Sequence, residues 1–295
     1  MGLSQPGIGP RTFLPYMPQS LKGEHAREVA SGERFEFGAN WSNFLAKLND
    51  QRLAVAARSL VDYLGEQGLA EKSFLDVGCG SGIFSLTARQ LGARVFSFDY
   101  DPNSVGCAEA LKARFFADDP NWRIQQGSVL DREYLSGLGQ FDIVYSWGVL
   151  HHTGAMWDAL GNVAPLVKPG GRLFISIYND QGGPSRRWLA VKRAYNRLPD
   201  GLRWLVLWPS AAQLWWKPML KDLLTLRPFA QWRQYARARG MSPWHDLVDW
   251  VGGYPFEVAT PEQIFNFYRD RGFVLEKLAT CGGSLGCNQF LFRRS

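Results

Sequence analysis

A glycine-rich segment at residues 76–82 combines residue types and a spacing that suit ligand binding. Its sequence is Asp76-Val77-Gly78-Cys79-Gly80-Ser81-Gly82. A short, mostly apolar run at residues 73–75 predicts a buried parallel strand before it, and residues 83–89 predict the start of a helix after it. A glycine-rich turn from a strand into a helix lets a nucleotide-like ligand approach the backbone closely.

The spacing of the glycines narrows the class of ligand. A dinucleotide-binding turn has a third glycine three residues after the second, and Ile83 occupies that position here. The glycines instead follow a G-x-G-x-G pattern, with Asp76 two residues ahead of the first. A carboxylate at that point would repel a pyrophosphate and would suit an ammonium group. These features predict a cationic adenosine ligand, S-adenosylmethionine (SAM).

A second acidic residue supports the same ligand. Asp99 ends a predicted second strand at residues 94–99, about 20 residues after the first glycine. An acid at this distance typically binds a ribose, because one carboxylate can accept hydrogen bonds from both ribose hydroxyls. Three further segments predict strands or strand ends, and they are residues 122–128, 141–146 and 166–175.

With these elements in order, the chain resembles the class I SAM-dependent methyltransferases, in the subgroup that includes the quinone-biosynthesis methylases. The resemblance rests on residues 75–82, the acid after the second strand, and residues 141–152 and 166–173. It covers roughly residues 40–178 and the last forty. It implies an α/β fold with a Rossmann-like, seven-stranded and mostly parallel sheet whose last strand is antiparallel.

The resemblance also implies which residues meet the cofactor. Gly78, Gly80 and Gly82 would approach the methionine part of SAM, and Asp99 would hold the ribose. Further residues expected beside SAM are Ser128 and Val129 at the adenine edge, and Ser146 at the end of the fourth strand.

The chain divides into four predicted segments. Residues 1–72 form an N-terminal extension with a helix predicted over 42–64, and residues 73–178 form the SAM-binding core. Residues 179–258 are rich in tryptophan and predict a helical insertion that forms a lid, since ligands bind beyond the carboxyl ends of the strands. Residues 259–295 predict a last helix and a hairpin that completes the sheet.

Two groups of residues are candidates for the methyl-transfer chemistry. His151 and His152 follow the fourth strand at its carboxyl end, which places at least one of them near the methyl group. His151 is the predicted general base of this pair. In the insertion, His245 and Asp249 are four residues apart and would share a helix face, so that the acid could orient the imidazole. No metal is predicted, because the four histidines and four cysteines complete no zinc spacing.

The expected function is methyl transfer from SAM to a small-molecule acceptor, with a glycan- or lipid-linked acceptor as one option. The net charge of +6 and the pI of about 9.2 raise an RNA methyltransferase as the alternative, although the basic residues are dispersed and predict solvated helix faces. A non-catalytic SAM-binding regulator is the third hypothesis. The tryptophans could form a lid core, line an acceptor pocket or touch a membrane interface.

The remaining expectations concern location. Cysteine is scarce, which is typical of a reducing compartment. The N-terminus lacks a basic segment followed by an apolar run, and no apolar stretch reaches about 18 residues. We therefore expect a cytoplasmic protein with neither a secretory signal nor a transmembrane helix. The sequence predicts no oligomeric state.

Overall fold

A seven-stranded sheet forms the centre of the structure. The structure is a computed structural model that describes residues 19–38, 50–65, 69–227, 230–233, 243–283 and 285–295. The strands are β1 (Ser73–Val77), β2 (Arg94–Asp99), β3 (Trp122–Gln126), β4 (Phe141–Trp147), β5 (Val167–Tyr178), β6 (Phe273–Ala279) and β7 (Cys287–Arg294). Their order is β3-β2-β1-β4-β5-β7-β6, and only β7 runs antiparallel to its neighbours. The predicted Rossmann-like sheet is confirmed.

The central strands are buried because helices cover both faces of the sheet. Four of the five residues of β1 are buried, which is typical of a parallel strand with helices on either side. Phe74 packs in one core cluster and Leu75 in the other, so successive residues of β1 serve opposite faces. Asp76 is the one carboxylate in this strand, and it has only 2% of its surface exposed.

Ten helices surround the sheet in the part of the chain that the structure describes, apart from short 3-10 turns and fragments beside its gaps. They are α1 (Gln19–Ala30), α2 (Asp50–Leu64), α3 (Ile83–Gln90), α4 (Pro102–Phe115), α5 (Arg132–Leu138), α6 (Met156–Val163), α7 (Gly183–Arg197), α8 (Trp204–Leu224), α9 (Pro243–Gly252) and α10 (Pro261–Arg269). The predicted capping box of α10 is present, with Thr260 and Gln263 each bonding the other's backbone N–H.

The strand order reverses between β1 and β4, and this reversal opens a crevice. Loops that leave the carboxyl ends of neighbouring strands diverge there to opposite faces of the sheet. Residues 179–258, here called the inserted segment, leave β5 at the same edge. Its helices α7, α8 and α9 share a separate apolar cluster built around Trp188, Tyr195, Leu207, Leu247, Val251 and Phe256.

Some predicted features lie outside the described residues. The first part of the predicted helix over 42–64 falls there, and the structure gives α2 from Asp50 to Leu64. Ser284 in the predicted hairpin loop and the side chain of His245 are also outside the description. The last strand continues to Arg294, two residues beyond its predicted end at Phe292.

Candidate functional site

A cavity of about 1300 Å³ opens at the carboxyl edge of β1, β2 and β4. Gly78, Gly80 and Asp99 line one end, and Trp215 and Asp249 of the inserted segment line the other. A pocket for one drug-sized ligand usually measures about 300–1,000 Å³. The cavity therefore has room for a nucleoside-sized ligand and a second small molecule side by side.

The turn after β1 exposes its backbone to the cavity because it lacks side chains. Gly78 and Gly80 both have positive φ, at 75° and 52°, a conformation that favours glycine. A Cβ atom at Gly78 would lie 2.3 Å from the side chain of Val149. The backbone N–H groups of Gly78 and Cys79 both donate to the carbonyl of Phe98, so the turn is tied to the end of β2.

The carboxylate of Asp99 is held by the backbone at both oxygens. Its Oδ2 accepts from the N–H of Gly80 at 2.8 Å, and its Oδ1 accepts from the N–H of Asp101 at 2.9 Å. A carboxylate has about four lone-pair sites, so each oxygen keeps one for a ligand. Burial raises the pKa of Asp99 to about 6, and the two backbone hydrogen bonds oppose that rise. The group is ionised at neutral pH and can accept from two hydroxyls.

The carboxyl group of Asp76 lies beneath the turn, and its pKa is raised above the ordinary value. The hydroxyl of Ser85 donates to its Oδ2 at 2.5 Å, and Ser97 bonds that same hydroxyl at 2.7 Å. Burial raises the pKa of Asp76 to about 7, and the nearby Asp99 carboxylate adds to the rise. A cation bound above the turn would favour the charged form of this group.

Two of the predicted cofactor residues, Ser146 and Gly82, do not line the cavity. Ser146 lies outside the cavity wall, and its hydroxyl donates to the carbonyl of Val77 at 2.9 Å, where it ties β4 to β1. Its neighbours Tyr145 and Trp147 line the cavity instead, because side chains alternate along a strand. Gly82 is also outside the wall. A Cβ atom there would lie 2.8 Å from Ala108, so Gly82 serves the packing of α3 against α4.

The other predicted cofactor residues lie along the wall. The residues at the turn after β1 are Asp76, Gly78 and Gly80, with Asp99 beside them at the end of β2. After β3 the wall is formed by Ser128 and Val129. The structure thus brings together residues from the ends of three different strands.

The two adjacent histidines have different surroundings. His152 lines the cavity, whereas His151 is fully buried and is not part of the wall. Neither ring nitrogen of His151 has a hydrogen-bond partner within the described ranges, and the ring lies 4.0 Å from that of Tyr178 between centroids. Burial and the neighbouring His152 hold the pKa of His151 well below its usual value. This position speaks against direct contact between His151 and an acceptor.

The inserted segment contributes aromatic and acidic groups to the far end of the cavity. Asp246, Asp249 and Trp250 reach it from α9, and Leu214 and Trp215 reach it from α8. Asp249, the predicted partner of His245, is one of the residues that line the cavity. The structure describes the backbone of His245 in α9, and the predicted pairing of its ring with Asp249 stays a prediction.

The N-terminal part of the chain supplies residues that the sequence did not predict. Arg34 and Phe37 line the cavity, and the guanidinium of Arg34 donates to the carbonyl of His152 at 3.1 Å. Arg34 also pairs with Glu28 at 2.5 Å and lies over the ring of Tyr100. The Phe-Glu-Phe run at residues 35–37, directly after Arg34, was the available signal, but nothing local connects it to the core.

The residues of this edge fit SAM. A half-buried carboxylate with lone pairs left suits the ribose, the turn has no side chain at Gly78 and Gly80, and a buried acid lies below. Among the residues that the structure describes, no group of three or more histidine, cysteine or acidic side chains could hold a metal ion.

Known proteins with related sequences share this region. A family model described as a methyltransferase domain matches residues 49–245. A ubiquinone biosynthesis O-methyltransferase of Aeromonas salmonicida (strain A449) is 34% identical over 113 residues, which cover 38% of this chain and 45% of that protein. The corresponding enzyme of Methylobacterium sp. (strain 4-46) is 28% identical over 165 residues, 52% of this chain and 64% of that protein. The chain thus spans about half the length of these curated relatives.

A solved structure agrees in fold. An O-methyltransferase family protein from Burkholderia thailandensis superposes with a TM-score of 0.50 at 16% identity, covering 96% of this chain and 64% of that one. At this identity the likeness concerns the fold alone. The family match covers about two thirds of the chain, from residue 49 to residue 245, and it includes the whole glycine-rich turn and Asp99. The chain belongs to the class I SAM-dependent methyltransferase family.

Proposed function

We propose that this protein transfers the methyl group of SAM to a small-molecule acceptor. The observation that carries the proposal is the single continuous cavity. It joins the turn at Gly78 and Gly80 and the carboxylate of Asp99 to an aromatic and acidic wall at Trp215 and Asp249. A binding protein for SAM alone would need only the first end. The second end gives an acceptor a place beside the cofactor.

In this proposal, different parts of the cavity bind the cofactor, orient the acceptor and exclude water. SAM supplies an activated methyl group on a positively charged sulfur. Asp99 holds the ribose, and the glycine turn lets the ligand lie against the backbone. Asp249 and the aromatic wall orient the acceptor, and the inserted segment serves as a lid that excludes water. Alignment of two bound reactants is the main contribution of the protein to such a displacement.

The two alternatives from the sequence receive less support. The basic side chains that would serve RNA are dispersed, and several are engaged in ion pairs, such as Arg89 with Asp119 and Arg172 with Glu276. A non-catalytic regulator would need to bind only SAM, so it would not require the far end of the cavity at Trp215 and Asp249. The curated relatives carry the name of O-methyltransferases, which supports a small molecule as acceptor.

The test is transfer of a labelled methyl group. The full chain is incubated with SAM that carries a tritiated methyl group and with fractions of a cell extract, separated into nucleic acid, protein, lipid and small polar molecules. We expect label in a lipid or small-molecule fraction. Label confined to RNA would establish the alternative, and SAM binding without transfer to any fraction would support the regulator.

The raised pKa of Asp76 predicts how pH acts on cofactor binding. Between pH 8 and pH 6 this carboxyl takes up a proton, since its pKa is about 7, and its attraction to the ammonium group of the ligand is lost. We expect the Kd of the demethylated product, S-adenosylhomocysteine (SAH), to rise by up to about tenfold per pH unit below that pKa. Calorimetry at constant ionic strength measures it. An Asp76→Asn variant should bind weakly at both pH values, and an unchanged pH dependence in that variant would assign the effect elsewhere.

The exposed face of α8 supports a membrane contact and a lipid-linked acceptor. Its exposed large apolar side chains form one group near the start of the helix and a second near its end, and Trp208 and Leu224 are 60% and 75% exposed. The other members of this face are Trp204, Leu205, Trp216, Met219, Leu220 and Leu223. No helix within the described ranges is long and apolar enough to cross a bilayer. On the basis of these exposed apolar side chains, we propose that α8 lies on a membrane surface.

The charges along α8 select the kind of surface. Lys217 and Lys221 lie in the helix and Arg227 follows it, while Asp222 is buried and accepts from the backbone of Gln231. An amphipathic helix with basic residues beside its apolar face binds anionic lipid. Leu214, Trp215 and Pro218 of the same helix line the cavity, so an acceptor held in the lipid would be close to its entrance.

Vesicle sedimentation tests this contact. We expect the protein to sediment with phosphatidylglycerol vesicles and to bind phosphatidylcholine vesicles weakly. The double variant Trp208→Ser, Leu224→Ser should lose most of this binding, because each large apolar side chain contributes about 1.5–3 kcal/mol on burial. The control is Val274→Ser, Leu278→Ser, which removes exposed apolar side chains of β6. Equal loss in both variants, or a change from dimer to monomer with unchanged vesicle binding, would contradict the proposal.

The small number of cysteines bears on the cell compartment. Four cysteines in 295 residues support a reducing compartment, and we propose the cytoplasm.

A further inference from the structure

His152 is held in a fixed orientation at the wall of the cavity. It ends a short 3-10 turn at residues 150–152, directly after β4. The rings of Phe37, His151 and Tyr178 surround it at centroid distances of 5.0, 4.5 and 5.4 Å. Gly253 of the inserted segment also packs close, because a Cβ atom there would lie 3.2 Å from the ring carbon between the two nitrogens. The ring therefore has little freedom to rotate.

One hydrogen bond determines which nitrogen carries the proton. Nδ1 of His152 lies 2.6 Å from the carbonyl oxygen of Pro255. A carbonyl oxygen can only accept, so Nδ1 must carry the hydrogen and Nε2 keeps its lone pair. No described residue donates to Nε2. Because His152 lines the cavity, this fixed hydrogen-bond acceptor belongs to a residue of the cavity wall.

The surroundings keep this imidazole neutral. Burial lowers the pKa of His152 to about 3, the hydrogen bond to Pro255 opposes that change, and the charges of Lys192 and Arg34 add to it. Arg34 approaches from the N-terminal segment, and Lys192 lies fully buried in α7. The neighbouring His151 is itself held neutral by burial. The lone pair of Nε2 is therefore available throughout the physiological range of pH.

We propose that Nε2 of His152 is the catalytic base, accepting the proton of the acceptor's nucleophilic O–H group. This inference rests on the proposed methyl transfer. The nucleophilic oxygen gives a lone pair to the methyl carbon, the carbon–sulfur bond breaks with its electron pair moving to sulfur, and the O–H proton passes to Nε2 and then to solvent. A weak base is sufficient, because an oxygen that has just given up a lone pair to carbon holds its proton weakly.

The positive charge of the cavity is conserved in this step. The sulfur loses its positive charge as Nε2 gains a proton, so the step adds no net charge to the cavity that Arg34 lines.

Nitrogen-15 NMR of the histidine ring tests the tautomer without any turnover. The full chain is loaded with SAH, and phenol and its methyl ether, anisole, serve as probes. We expect His152 to carry its hydrogen on Nδ1 and to show no titration between about pH 5 and pH 8. Phenol should shift the Nε2 signal, and anisole, which has no hydroxyl, should leave it unchanged. A hydrogen on Nε2, or titration near the ordinary histidine pKa of about 6.5, would overturn the assignment.

Variants test the role in turnover with the acceptor fraction that the labelled-methyl experiment provides. His152→Asn can still donate to Pro255 but has no acceptor atom at the Nε2 position. We expect it to keep SAH affinity within a few-fold and to lower kcat by about 10²–10⁴-fold. For His152→Ala we expect rescue by added imidazoles, with rates that rise with the basicity of the imidazole.

The outcomes separate the two proposals. Normal kcat in His152→Asn, or rescue that does not depend on imidazole basicity, would overturn the role of His152 while leaving methyl transfer intact. A wild-type chain that binds SAH but transfers no label would contradict the proposed function, whereas the NMR result on the tautomer would still stand.

Discussion

Gly80→Val should abolish measurable binding of SAM and SAH. Gly80 has a φ of 52°, where a β-branched residue is strained by about 1–3 kcal/mol. Its N–H also donates to Asp99, so relief of the strain by rotation of the peptide would break the bond that holds this carboxylate. A valine side chain would in addition occupy the cavity wall, where the cofactor must touch the backbone. Together these effects predict at least about a 100-fold rise in Kd, or roughly 3 kcal/mol.

Gly170→Val is the matched control for this variant. Gly170 also has a positive φ, at 72°, and a Cβ atom there would meet nothing within 4 Å. It lies near the start of β5, opposite the carboxyl edge where the cavity opens. We expect it to lose thermal stability from the same backbone strain and to keep wild-type affinity for SAH in calorimetry. If a folded Gly80→Val protein bound SAH normally, the cofactor site would have to lie elsewhere.

Asp99→Ala should weaken SAM and SAH binding by about 1–3 kcal/mol, or roughly 5- to 150-fold in Kd. The variant removes the acceptor for the ribose hydroxyls, which then enter the cavity without partners. It also leaves the N–H groups of Gly80 and Asp101 without the carboxylate that orders them. Calorimetry with adenosine should show a loss of similar size, because adenosine retains the ribose but lacks the methionine part.

Asp142→Ala provides the comparison. Asp142 accepts from the hydroxyl of Ser73 at 2.6 Å and pairs with Lys168 at 2.9 Å, at the opposite end of the sheet. These partners lower the pKa of Asp142 to about 2, against the effect of burial. The ionised Asp142 carboxylate therefore stabilises the folded state, whereas the raised pKa of Asp99 means that its ionised form does not. We expect Asp142→Ala to unfold at lower temperature and to bind SAH normally. If Asp99→Ala unfolded at a lower temperature but bound SAH with unchanged affinity, Asp99 would have only a structural role.

Local patterns in the sequence predict the sheet, and they single out residues of the turn that the structure places on the cavity wall. The turn at residues 76–82 and the acid at Asp99 are each set by a few neighbouring residues, and their spacing is a property of one strand-turn-helix unit. The same local reasoning placed Ser146 beside the cofactor, whereas its side chain bonds Val77 and does not line the cavity. In the structure, alternation along β4 places Tyr145 and Trp147 on the cavity face and Ser146 on the other.

The acceptor end depends on contacts between distant parts of the chain. Pro255 meets His152 across 103 positions, and Arg34 meets it across 118. Nothing in the sequence near His152 shows that one ring nitrogen is engaged or that its neighbour His151 is buried. The choice between the two histidines therefore required the fold.

The most direct test of the account is calorimetric titration of the full chain with SAM and with SAH. The account predicts that both bind at the glycine-rich turn, that they compete for one site, and that Gly80→Val removes both while Gly170→Val removes neither. Absence of binding to either ligand at millimolar concentration by a folded protein, or binding that survives Gly80→Val unchanged, would contradict it.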